Sequence, residues 1–209
     1  MTDLSGKFIV LDGPDGCGKS TQVRLLGDWL QKQDVEVRTF RDPGDTDIGD
    51  GIRELLLSRQ HERMANMTEL LLYMASRTQL WYEKIKPALD KAYCVVLDRW
   101  LSSTCAYQGY AGGFGMDRVM RIAEDALERV WPDMTLILDV DLATATRRMN
   151  RERDRIELKG NDYHRKVREG FLALTQTHPN FVVVEATEPV ETVHKQITDQ
   201  VSRLLTLES

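Results

Sequence analysis

The chain has 209 residues, enough for one domain with a sizeable core, or one domain with a lid. With 42% hydrophobic and 29% charged residues and a net charge of −5, its make-up excludes a general nucleic-acid or membrane binder, so any basic patch must be local. Cys17, Cys94 and Cys105 lack metal-ligand spacing and read as reduced thiols, no apolar run approaches a membrane span, and the chain enters its first strand with no room for a signal peptide; a cytoplasmic location is expected.

In chain order, Phe8-Ile9-Val10-Leu11 predicts a buried strand leading into Gly13, Gly16 and Gly18, then Lys19-Ser20-Thr21 and an amphipathic segment. Gly13 to Ser20 fits G-x-x-x-x-G-K-[ST] at every fixed position. Glycines let the loop wrap a phosphate so that successive N–H groups point inward, and the helix it opens adds a favourable field for an anion. Gly13, Pro14, Asp15, Gly16, Cys17, Gly18, Lys19, Ser20 and Thr21 are therefore the candidate ATP cradle. Lys19 is placed to reach the β- and γ-phosphates and the Ser20 hydroxyl to ligate Mg²⁺.

Beyond the loop, spacing predicts a helix over 21–33, a strand over 35–40, a sharp break at Arg41-Asp42-Pro43-Gly44-Asp45, and a helix over 48–58. Residues 68–92 predict one long helix or two, bent at Pro87, and 93–97 a strand ending in Asp98-Arg99-Trp100. A helix over 102–108 should give way to a glycine loop at 109–115, followed by a helix over 117–130 and a strand over 135–140. Residues 142–151 read as a helix running into an arginine-rich segment, then 162–176 as helix, 181–184 as strand and 190–205 as a closing helix. Apolar strands alternating with helices indicate an α/β fold, a parallel sheet of about five strands covered on both faces. The polar clusters after strands one to four should meet beyond the strands' C-terminal ends.

Asp98-Arg99 pairs a carboxylate able to orient Mg²⁺ through water with a fork for an acceptor phosphate; alone it would equally suit a surface ion pair. Arg147, Arg148, Arg151, Arg153 and Arg155 form a run that more often marks a solvated face. Beside a phosphate loop it reads as a lid, roughly 147–160, closing over a triphosphate. Tyr73 and Arg77 share a helix face and suit a base, although that pairing by itself more often means a core aromatic beside a surface arginine. His61, His164, His178 and His194 are scattered and read as structural or surface.

FIVLDGPDGCGKSTQ, RDPGDTDIGDGIRELLL, LLLYMASRTQLWYEKIKPAL, VVLDRWLSSTCAYQG, PDMTLILDVD, DRIE and VVEAT, in that order and spacing, resemble the thymidylate kinase family. The resemblance implies a P-loop kinase fold in a single domain and transfer of the γ-phosphoryl group of ATP to dTMP with Mg²⁺. It implies a homodimer, with the Leu70–Trp81 region as interface helix, and neither nucleic acid nor membrane as partner. Lys19, Ser20 and Asp98 would serve ATP and Mg²⁺, and Arg148 would lie against adenine. Asp15 would stand near the acceptor's 3′-hydroxyl, Pro43 would follow a cis peptide, and Arg53 and Arg99 would hold the dTMP phosphate. Tyr73 would stack on thymine and Arg77 donate to its O4. Ser103, Thr104 and Gln108 would line the base pocket, and Tyr107 would crowd out a ribose 2′-hydroxyl. Gly16 stands where part of the family carries its catalytic arginine, so the lid should supply it, with Arg151 and Arg153 as the candidates.

The chain departs from the family pattern at Asp42 for glutamate, Asp45 for glycine, and Trp100 for tyrosine, histidine or phenylalanine. The Asp42 and Trp100 departures motivate one rival reading, a kinase for another pyrimidine monophosphate. A second rival is a nucleotide-binding regulator without turnover.

Overall fold

A computed structural model describes residues 4–149 and 152–204 of the chain. Five strands form one parallel sheet in the order β2-β3-β1-β4-β5. They are β1 (Phe8–Asp12), β2 (Val37–Arg41), β3 (Cys94–Asp98), β4 (Met134–Asp139) and β5 (Phe181–Glu185). The three central strands are buried along their whole length, which is why they read as apolar runs without alternation. Helices are α1 (Lys19–Gln31), α2 (Asp47–Leu57), α3 (Asn66–Leu80), α4 (Lys86–Asp90), α5 (Leu101–Thr104), α6 (Met116–Ala126), α7 (Leu142–Arg148), α8 (Asn161–Thr177) and α9 (Val190–Arg203).

The strand pleat divides the core into two layers. Phe8, Val10, Val95, Leu97 and Ile137 face a layer built with α3, α6 and α8, where Trp81, Trp100 and Phe171 fill the space. Ile9, Leu11, Val96, Leu136 and Leu138 face the other, closed by Val23, Leu26 and Leu30 of α1 and Val193, Ile197 and Val201 of α9. At the C-terminal edge Leu11 and Arg41 both stand opposite Asp98, so the loops after β1, β2 and β3 converge, with the loop after β4 beside them. β1 lies between β3 and β4, and the crevice at its end is the position where open α/β sheets bind ligands.

Several boundaries differ from the sequence expectation. Where a bend was expected at Pro87, a π-helical turn at Trp81–Ile85 joins α3 to α4, and Pro87 lies in the first turn of α4. α5 continues through a second π-helical segment, Cys105–Ala111, so Gly109 belongs to a helix and not to the loop. A side chain there would stand 3.2 Å from the Met116 Cα, so glycine permits the close approach of α6. α6 stops at Ala126 instead of residue 130, and α7 ends at Arg148, three residues short of the expected end. No helix among the described residues is long and apolar enough to cross a membrane.

Candidate active site

The phosphate loop has the strained backbone that its glycines permit, with φ of 141° at Gly13, 78° at Gly16 and 97° at Gly18. A Cβ on Gly13 would stand 2.5 Å from the Leu138 carbonyl oxygen. One on Gly16 would collide with the Ala145 carbonyl of α7, which leaves no room for an arginine at that position. Lys19, 6% exposed, donates from Nζ to the carbonyls of Gly13 (3.1 Å) and Pro14 (2.7 Å). Cys17 is buried beneath it with its sulfur 3.4 Å from Nζ, and burial pushes that thiol's pKa up.

Ser20 on α1 and Asp98 at the end of β3 meet, Ser20 Oγ donating to Asp98 Oδ2 at 2.6 Å. Arg99, at φ 70°, turns back over the loop, donating to the carbonyl of Gly13 and the hydroxyl of Ser103, both at 2.9 Å, and to the carboxylate of Asp15. Tyr107 donates its hydroxyl to the other Asp15 oxygen at 2.7 Å. Burial pushes the Asp15 carboxyl up, but Arg99, Lys19 and Tyr107 outweigh it and hold the group at about 2. Burial likewise opposes the charge of Arg99, and Asp15, with Asp12 and Asp98, more than restores it.

Asp12 was not singled out from the sequence, yet it organises this corner. It is fully buried. Oδ1 accepts from the Gly13 N–H (2.8 Å) and Ser103 Oγ (2.7 Å), while Oδ2 accepts from Ser102 Oγ (2.5 Å) and the Trp100 N–H (3.3 Å). One carboxylate thus joins the start of the phosphate loop to the start of α5. The available signal was a charged residue ending an otherwise apolar buried strand.

The turn after β2 carries a cis peptide between Asp42 and Pro43, and the Pro43 carbonyl accepts from Arg53 at 2.9 Å. Asp45 adopts φ 59°, a left-handed conformation that glycine takes freely and that aspartate tolerates better than most residues. Burial lowers the pKa of Arg53, and the positive charges of Arg41 and Arg99 lower it further. Like charges brought together in a crevice make an anion site. Arg53 and Arg99 border the same cavity of about 950 Å³ as Lys19, Ser20, Asp98 and Arg148. Arg148 is tied to the loop after β5 through the carbonyls of Ala186 (2.6 Å) and Thr187 (3.0 Å).

A narrower cavity of about 80 Å³ opens from the same corner and is lined by Tyr73, Arg77, Thr104, Tyr107 and Gln108, with Pro43 and Ser103 at its sides. Arg77 is not a surface arginine: it is 1% exposed and pairs through Nε (2.7 Å) and Nη2 (2.6 Å) with a single oxygen of Asp42. Nη2 also reaches Thr104 Oγ1 at 2.9 Å, while Nη1 meets only the Met74 sulfur at 3.5 Å. The other Asp42 oxygen meets no donor among the described residues, and burial pushes that carboxyl up against the pull of Arg77. Trp100 does not face the cavity. It is fully buried against Phe8 and Trp81, with its indole N–H on the Val130 carbonyl.

The arginines of the run diverge. Arg151 lies outside the described residues. Arg147 is exposed, and Arg153 borders a separate cavity of about 250 Å³ on the far side of Pro14 and Asp15, with Glu157 and His164. Arg155 corrects the expectation of a lid arginine over the triphosphate: it is 7% exposed, donates from Nε to the Leu56 carbonyl (2.9 Å) and pairs with Glu69 at 2.7 Å. The cause is local. Asp154 Oδ1 accepts from the N–H groups of Ile156 and Glu157 while Glu157 Oε2 accepts from that of Asp154, a reciprocal cap that turns Arg155 and Ile156 inward.

The model of the family described as thymidylate kinase matches residues 11–197. A thymidylate kinase of Caldanaerobacter subterraneus subsp. tengcongensis is 41% identical over 204 residues, covering 97% of this chain and 98% of that protein. The chain belongs to the thymidylate kinase family. A thymidylate kinase of Bacillus pumilus is 36% identical over 199 residues, covering 93% and 94% of the two chains. The crystal structure of thymidylate kinase from Ehrlichia chaffeensis superposes with a TM-score of 0.77 at 28% identity, over 93% of this chain and 97% of that one. Membership makes the chain a nucleoside monophosphate kinase, and the five-stranded parallel sheet with its phosphate loop is the P-loop kinase fold.

Proposed function

We propose that the large cavity is the phosphoryl-transfer site and the narrow one the acceptor pocket, so that the chain converts ATP and dTMP to ADP and dTDP. The observation that carries this reading is the meeting of Lys19, Ser20 and Asp98 with Arg53 and Arg99 around one space. Donor chemistry stands on one side and two convergent cations for an acceptor phosphate on the other. The chain belongs to one family over nearly its whole length, which points to the same reaction.

The residues divide the work. The N–H groups of the loop and Lys19 take the donor phosphates, Lys19 exchanging the Gly13 and Pro14 carbonyls for phosphate oxygens. Ser20 and Asp98 present oxygen ligands 2.6 Å apart beside the loop, a set that fits Mg²⁺, which takes few protein ligands and completes its shell with phosphates and water. When bound, Mg²⁺ offsets charge on the transferring phosphoryl group. Arg99 and Arg53 orient the acceptor phosphate for in-line attack, and Arg148 flanks the adenine. Asp15, fixed by Arg99 and Tyr107, takes the acceptor's 3′-hydroxyl in this reading, and Tyr107 is the residue that would crowd out a 2′-hydroxyl. Tyr73 stacks on the base, and Thr104 and Gln108 line its edge. The last cation is Arg151 or Arg153, on a lid over 147–160 that excludes water when closed.

Exposed Ile48 and Leu55 on α2, Leu71 on α3 and Tyr82 just beyond it leave apolar surface that suits pairing of two copies in a cytoplasmic homodimer. Leu70 and Trp81 point into the core, so the pairing face is the opposite side of α3. The test is ADP release with ATP and Mg²⁺ against dTMP, dUMP, dCMP, dGMP, AMP and no acceptor. Fast release with dTMP alone is expected. Arg99→Ala should lower kcat/KM for dTMP by about 10²–10³-fold while ATP still binds. Intact dTMP turnover in that variant overturns the assignment.

A further inference from the structure

Glu69 sits on the first turn of α3, outside the residues that line either cavity, yet it is 2% exposed and carries a carboxylate. Such a group is normally costly unless its oxygens are fully used. Here they are. Arg155 Nη1 stands 2.7 Å from Oε2, Lys159 Nζ lies 3.0 and 3.1 Å from the two oxygens, and Gln108 Nε2 donates to Oε1 at 2.9 Å. Burial pushes the Glu69 carboxyl up, but Lys159, Gln108 and Arg155 together hold it below the usual range.

An ionised carboxylate only accepts hydrogen bonds. The Gln108 amide therefore has to turn its NH₂ toward Glu69, and the flip that is normally open to an amide is closed. Its carbonyl oxygen is then the end left for the narrow cavity that Gln108 lines. Among the described residues that oxygen has no hydrogen-bond partner, although the side chain is 4% exposed. On the neighbouring wall Arg77 Nη1 meets only a sulfur and keeps donor capacity for a carbonyl. The pocket thus offers one donor and one acceptor side by side.

We propose that Glu69 is a positioning residue that sets base selectivity, by locking Gln108 with its carbonyl toward an N–H of the acceptor base. The proposal rests on the reading of the narrow cavity as the acceptor pocket. A pyrimidine-2,4-dione presents a carbonyl beside an N3–H and matches the pair. Cytosine presents an amine beside an unprotonated N3, so it mismatches both. Arg155 ends the arginine run and Lys159 follows it, so the cations that brace this turn also hold the selectivity device in its charged form.

The experiment measures kcat/KM for dTMP and dCMP in the full-length chain and in Glu69→Gln, Gln108→Leu and Lys159→Met. A neutral amide at position 69 accepts or donates toward Gln108, so Glu69→Gln should narrow the dTMP-to-dCMP ratio by about tenfold or more. Loss of packing alone would lower both acceptors together. A ratio unchanged in Glu69→Gln but narrowed in Gln108→Leu overturns the proposal and leaves the pocket in place. A ratio unchanged in both overturns the pocket assignment of Gln108 as well. If Glu69→Gln is not recovered folded, Lys159→Met, on a partly exposed residue, decides: a narrowing of about threefold supports the lock, and an unchanged ratio removes it.

Discussion

Replacing Asp12 by asparagine tests whether the buried carboxylate at the end of β1 holds donor and acceptor machinery together. Asparagine has the same shape, but one end must now donate. The hydroxyls of Ser102 and Ser103 can rotate to accept; the N–H groups of Gly13 and Trp100 cannot. The better orientation keeps the oxygen on Gly13, 2.8 Å away, and leaves the Trp100 N–H, at 3.3 Å, without an acceptor. One orphaned buried donor costs about 1–3 kcal/mol. Removal of the negative charge beside Arg99, 3.5 Å away, adds about 1 kcal/mol, because Asp15 still neutralises that arginine. A loss of about 2–4 kcal/mol lowers Tm by roughly 5–15 °C for a chain of this size. Because Asp12 binds both the loop and α5, kcat/KM should fall by about 10–100-fold for ATP and dTMP alike, unlike Arg99→Ala, which acts on the acceptor. Thermal unfolding and steady-state kinetics with each substrate varied read both effects. A variant that melts within about 1 °C of the parent and turns over normally would refute the reasoning.

Three further outcomes follow from the same geometry. Arg155→Met should cost about 3–5 kcal/mol in urea unfolding because it strips a buried partner from Glu69, whereas Arg153→Ala should be near neutral; of Arg151→Ala and Arg153→Ala, one should lower kcat by about 10²–10³-fold without loss of stability. Asp15 titrates at about 2 in the folded chain against an ordinary 3.8, so the unfolded chain takes up its proton first as pH falls. Its contribution, about 2 kcal/mol, is whole above pH 4 and drains away toward pH 2; Asp15→Asn should flatten that limb of the urea midpoint against pH, and an unaltered limb sinks the assignment. Leu71→Glu or Ile48→Glu should give a monomer by sedimentation velocity if the outward face of α2 and α3 pairs two copies, and an unaltered dimer would place the interface elsewhere.

The sheet was legible because central parallel strands are apolar throughout, and the phosphate loop because its backbone demands glycine at fixed places. Phe8–Asp12, Cys94–Asp98 and Met134–Asp139 fall within a residue of the predicted strands. Helix ends were legible only to a few residues. The continuation of α5 through Gly109 is set by its contact with Met116 across the fold, and glycine taken locally signals a loop. Trp100 shows the same limit: it follows an Asp-Arg pair at the site, yet its side chain is directed by Phe8 and Trp81, which lie far away in sequence.

The arginine run shows where residue type ceases to be informative. Arg147, Arg148, Arg153 and Arg155 are chemically identical, and their number beside a phosphate loop suggested a single role. The structure separates them by where the backbone aims each one. Asp154 and Glu157 form a one-turn cap, and that turn commits Arg155 to Glu69 and the end of α2. Aspartate followed three residues later by glutamate was a readable capping signal, and it forecasts an ordered turn within a segment that composition alone makes a mobile face. An anchored turn therefore stands directly after Arg153, held by Arg155 to the end of α2 and by Arg155 and Lys159 to Glu69 on α3. Its anchor is the same charged cluster that orients Gln108, so the turn and the wall of the narrow cavity share one set of ion pairs, and a change at either should be felt at the other.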